Sequence, residues 1–148
     1  VVDKGIRDAN NMGAAMAPAA ADTILAHFRD TGRKPSDYDL VITGDLGQLG
    51  HELLGELLKR EGLELPHLAD CGTLIYDLQG QDVHCGGSGC GCSAAVLCGL
   101  LLGGLREGRW KRILFCGTGA LLSPTSTQQG ESIPSVCHGV VIEQERRD

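Results

Sequence analysis

"YDLVITGDLGQLGHELLGELLKREG", residues 38–62, decides the fold. Residues 38–43 are a short β-branched run, which predicts a strand. "GDLGQLG" then turns the chain, and leucines at 53, 54, 57 and 58 mark one face of a helix. A strand that passes through glycines into an amphipathic helix is the repeating unit of α/β proteins.

The same alternation extends in both directions. "VVDKGI" (1–6) predicts a weak strand and "NNMG" (10–13) a loop, and apolar residues recur at helical spacing from Ala14 to Arg29. Pro18 lies early in that run, where a proline is tolerated, and Gly32 stops it. "CGTLIYD" (71–77) predicts a buried strand, and "GQDVHCGG" (80–87) a turn with a short extended piece. Ser88 to Arg106 predicts a helix that is apolar almost all round, hence buried on several sides by another half-domain or a second subunit. "KRILFCGTG" (111–119) is a strand ending in glycines, and "VCHGVVIEQ" (136–144) a closing strand. The loop between them, 120–135, is long enough to cover a site. The order β-α-β-α-(β)-α-β-β predicts one α/β domain over residues 1–148. Its sheet is mixed but mainly parallel, with helices on both faces and an antiparallel strand at one edge.

Composition excludes several function classes. A net charge of −6 argues against non-specific attraction to nucleic acid or an anionic membrane. The longest apolar run, Ala94 to Leu105, falls well short of the ~20 residues that span a bilayer, and no signal segment opens the sequence. Aromatics make up only 3% and glycines number 22, so the core is built from small and aliphatic residues in close contact. Seven cysteines, an odd number in a domain able to stabilise itself without staples, point to a reducing compartment.

"HCGGSGCGCSAAVLCGLLLGGL" (84–105) gathers four of those cysteines. Cys90 and Cys92, two apart at a helix start, point to different sides, so packing is favoured over zinc and no metal is assigned. "GGSGCG" lacks the Lys-Ser/Thr of a P-loop and the dinucleotide spacing, so no nucleotide cofactor is assigned either.

"MGAAMAPAAADTILAHFRDTGRKPSDYDLVITGDLG", "GGSGCGCSAAVL" and "CGTGA" together resemble the C-terminal half of a thiolase-fold protein. More narrowly, "DVHCGGSGCGCSA", "TGALLSPTSTQQGESIP" and "DANNMGAAMAPAAADTI" resemble the stage V sporulation protein AD family of endospore-forming bacteria. The first resemblance implies a βαβαβαββ half, with an N-terminal half-domain outside this sequence. The second implies a part in dipicolinic acid uptake, as the free acid or its calcium complex. It also implies membrane protein partners of the stage V sporulation machinery, a homodimer, and a place in the cytoplasm or at the spore inner membrane.

Thiolase-type chemistry needs a thiolate, with imidazole or amide groups that bind the oxyanion and move protons. In register with that fold, Gly44 and Asp45 stand where thiolases carry Asn-Glu and ketoacyl synthases His. Ser88, within Gly87-Ser88-Gly89, stands where a His or Asn is required. A hydroxyl is a poor base at neutral pH. Cys116 meets the C-terminal thiol position of thiolases only with a one-residue shift. No catalytic residue is therefore assigned, and acyl transfer on coenzyme A or acyl-carrier thioesters is the alternative reading. Candidate ligand-binding residues are Asp45, His84, Gly86, Gly87, Ser88, Gly89, Cys116 and His138. The glycine amides are expected to face a carboxylate at the helix mouth. His84 and Ser88 would add a donor each, and Asp45 lies at a strand's C-terminal end, where ligands sit in α/β sheets.

Overall fold

A computed structural model describes residues 1–144. Four strands form one sheet in the order β2-β1-β3-β4: β1 (Leu40–Thr43), β2 (Leu68–Asp70), β3 (Arg112–Ala120) and β4 (Ser135–Glu143). β1 runs parallel to both β2 and β3, and β4 pairs antiparallel to β3 over nine residues, from Arg112↔Glu143 to Ala120↔Ser135. The mainly parallel α/β sheet with an antiparallel edge is as the sequence predicts.

Helices cover both faces. α1 (Met12–Thr31) and α2 (Gly47–Arg60) lie on one, where Met16, Ala20, Ile24, Leu54 and Leu58 pack with Val41, Leu114 and Cys116. α1 begins at Asn11, whose side chain accepts from the Ala14 amide, and ends at Gly32, which adopts a left-handed φ of 66°. The two helices cross at two glycines. A Cβ on Gly13 would sit 2.6 Å from the Leu46 carbonyl oxygen, and one on Gly50 would sit 2.8 Å from the Gly13 Cα.

The other face carries a single helical run in three parts: α4 (Cys90–Val96), a π-helical turn (Leu97–Leu101) and α5 (Leu102–Arg106). Cys92, Val96, Leu101 and Leu105 are its buried side chains, against Ile42 and Ile113. The step of five between Val96 and Leu101, among steps of four, is the extra residue that the π turn absorbs. Ala94, Ala95, Cys98 and Leu102 on its outer face are exposed within this chain, and this is the face that the sequence expects another half-domain or a second subunit to cover. The sheet of this chain covers one stripe of the helix.

Three expectations shift. The opening strand is limited to one bridge, Val2↔Ser135, with both amide-to-carbonyl bonds at 2.8 Å. The strand expected at 71–77 lies just before it as β2, and Cys71–Leu74 is instead a helical turn, α3. The connection 120–135 contains a short helix, α6 (Pro124–Gln128), capped by the Ser123 hydroxyl on the Ser126 amide.

Replacing Gly50 by alanine should destabilise the fold by about 1–3 kcal/mol, because the new methyl meets backbone that cannot yield. Denaturant unfolding of the variant measures this. An unchanged midpoint would show that the two helices are free to separate.

Candidate functional site

The loops at the C-terminal ends of β1, β2 and β3 are tied together by two buried aspartates. Asp70, fully buried at the end of β2, accepts from the Thr43 hydroxyl (2.6 Å) and the Leu46 amide (2.8 Å) through Oδ1, and from the Gly47 amide (3.0 Å) through Oδ2. The next amide, of Gln48, donates to the Cys85 carbonyl at 2.8 Å. The first amides of α2 are thus satisfied by other parts of the chain. Gly47 permits this close approach, with a φ of 69° and the Cys85 carbonyl 2.8 Å from where its Cβ would be.

Asp45, 8% exposed, forms the second tie. Its Oδ2 accepts from the Gly89 amide at 2.6 Å and its Oδ1 from the Thr118 hydroxyl at 2.8 Å. The start of α4 and the end of β3 are therefore fastened to the β1–α2 loop. At Gly44 a Cβ would lie 3.0 Å from Thr118 Oγ1 and 3.2 Å from Ser93 Oγ, so Thr118 and Ser93 fill the space that a side chain would need there.

Below these ties lies a cavity of about 210 Å³. Asp45, Gly86, Gly87 and Ser88 line it, so four of the eight candidate residues converge. Ser88 is exposed at the rim, and its hydroxyl makes no hydrogen bond among the described residues. Gly89 lies next to the cavity and contributes its amide to Asp45. The amides of Gly86 and Gly87 donate to the carbonyls of Val83 (2.9 Å) and Gly72 (2.8 Å). These three glycine amides already have acceptors within the chain.

The other three candidates lie elsewhere. His84, with a left-handed φ of 49°, has an 89% exposed side chain whose Nδ1 is 3.8 Å from Asp82 Oδ1. His138 is exposed on β4, opposite Gly117. Cys116 is buried beneath α1. Its thiol is pushed well above the usual range, first by its hydrogen bond to Cys137 and then by burial, while Cys137 is held low as the acceptor of that bond. Burial pushes the Cys71 thiol up to about 12, with help from the Asp70 charge. Cys92 is raised too, by burial and then by Asp45 and Asp70. None of these three thiols is poised as a thiolate nucleophile.

Sequence reasoning missed Asn10, Met12 and Met16, which line the cavity from the start of α1, and also the ties made by Asp70 and Thr118. Asp70 had a readable signal, an acid set between apolar residues in "HLADCGTLI". Among the described residues no group of three or more His, Cys, Asp or Glu is placed to hold a metal ion, and no helix is long and apolar enough to cross a membrane.

Comparison with known proteins shows the family of the chain. The family model for stage V sporulation protein AD matches residues 1–143. Stage V sporulation protein AD of Bacillus subtilis (strain 168) is 51% identical over 144 residues, which are 97% of this chain and 42% of that protein. The chain therefore spans less than half the length of this curated relative.

Iodoacetamide at neutral pH should modify Cys85 and Cys90, which are exposed, and leave Cys71 and Cys116 intact until the protein is denatured. Peptide mass spectrometry reads the sites. Labelling of Cys71 as fast as Cys85 would contradict the burial and charge described above.

Proposed function

Because the chain belongs to the stage V sporulation protein AD family, we propose that its cavity binds dipicolinic acid in sporulation and does not turn it over. The observation that carries this reading is the convergence of Asp45, Gly86, Gly87 and Ser88 on one cavity. That cavity lies at the strand ends, where α/β sheets take small ligands. Ser88 offers the ligand carboxylate a hydroxyl without an internal partner. Asp45 acts as a positioning residue, since its two oxygens already hold Gly89 and Thr118.

Binding without chemistry is supported by what occupies the thiolase-like catalytic places. Gly44 has no room for an imidazole or amide, and Ser88 is a weak base. The thiols of Cys71, Cys92 and Cys116 are raised. We further propose that the ligand enters as the free dicarboxylate or its calcium complex, and that an N-terminal half-domain completes the pocket. On this reading the protein works as a homodimer, in the cytoplasm or at the spore inner membrane, beside membrane proteins of the same machinery.

Calorimetric titration of the full-length protein with dipicolinate should give saturable binding, weakened about tenfold by Ser88→Ala, the size expected for losing a hydrogen bond to a charged group. His84→Ala should change little, because its side chain lies outside the cavity. Absence of saturable binding, or turnover of a coenzyme A thioester, would overturn the reading.

A further inference from the structure

The chain contains two methionines, Met12 and Met16, and both line the cavity. They stand one turn apart on the same face of α1, at its first residue and its fifth. Met16 is 2% exposed and belongs to the core beneath α1, while Met12 packs against that core from its edge. The thioether wall is therefore backed by packed side chains, not by solvent.

Another part of the cavity surface is peptide backbone. Gly86 and Gly87 line it, and their amides are engaged by the carbonyls of Val83 and Gly72. A side chain on Gly87 would strike Ile75 Cγ2 at 2.6 Å, so that position remains bare. With those amides engaged, the glycines give the cavity bare backbone and not a row of free donors. Gly13 and Gly47 add two more lining positions without side chains.

Bare backbone leaves room for a flat ring, and polarizable thioethers are a surface on which an aromatic ring rests well. A sulfur near a ring contributes about 0.3–1.5 kcal/mol, and an aliphatic side chain of the same size lacks that contribution. From this we propose that Met12 and Met16 are specificity-determining residues, which select a planar aromatic ring over a saturated one carrying the same carboxylates. The inference rests on the reading of the cavity as a carboxylate-ligand site and adds what the cavity recognises between the carboxylates.

Two probes and one variant test it in the full-length protein: dipicolinate, its saturated analogue piperidine-2,6-dicarboxylate, and the double variant Met12→Leu/Met16→Leu. Leucine keeps the apolar volume and removes the sulfur. The variant should bind dipicolinate about three- to tenfold more weakly, with the affinity for the saturated analogue unchanged. An unchanged ratio of the two affinities would overturn the proposal, as would equal loss of both. A second measurement needs no variant. Peroxide oxidises methionine to sulfoxide, with one oxygen atom transferred to sulfur and water released, and dipicolinate should slow this at Met12 several-fold where the saturated analogue does not. Equal protection by both probes would also overturn it. If the wild-type protein binds neither probe, it is the ligand-site reading that fails.

Discussion

One carboxylate holds the architecture of this end of the molecule. Asp70 is fully buried, and its charge is tolerated because three donors, the Thr43 hydroxyl and the amides of Leu46 and Gly47, surround it. Two of those donors are amides at the start of α2, which have no partners within the helix. A strand end and a helix start on neighbouring elements thus satisfy each other, and the β1–α2 loop is bonded to both. Every neighbour of that loop inherits its position, including Cys85 through the Gln48 amide and α4 through Asp45 and Gly89.

That constraint also explains the cavity's chemistry. Asp45 sits where an anion could meet the start of α4, but its own carboxylate is already there, bonded to Gly89 and Thr118. Gly86 and Gly87 likewise have their amides bonded to the carbonyls of Val83 and Gly72. The rest of the lining includes the Ser88 hydroxyl, the Asn10 amide, the Cys85 thiol, the two thioethers and bare glycine backbone.

The sheet was legible in the sequence because β-branched runs at 38–43, 111–119 and 136–144 are bounded by glycines or turns. β2 was not, since its three residues, Leu68–Asp70, are too few to show a period, and the stronger apolar signal of "CGTLIYD" follows them. In α2 the leucines gave the helix and most of its buried face, with Leu57 packed against the core beside Leu54 and Leu58. Leu54 and Leu58 are buried with Gly47 and Gly50, while Leu53 is 37% exposed. A glycine carries no hydrophobic signal, although here it permits the closest helix contact. At the site, the resemblance located residues 86–89 and Asp45, whereas His84 and His138 were chosen for their chemistry alone. Nothing in the sequence indicates that a left-handed backbone turns His84 outward.

The π turn at Leu97–Leu101 leaves the helix on either side in register with the sheet. Cys92 and Val96 keep their contacts before it, and Leu101 and Leu105 keep theirs after it. Because the turn is one residue longer than an α-helical turn, losing a single residue there restores regular helix without rotating either flank. Relatives can therefore differ in length by one at this point and retain the same packing. An alignment gap inside a continuous helix would mark a conserved structure here, not a divergent one.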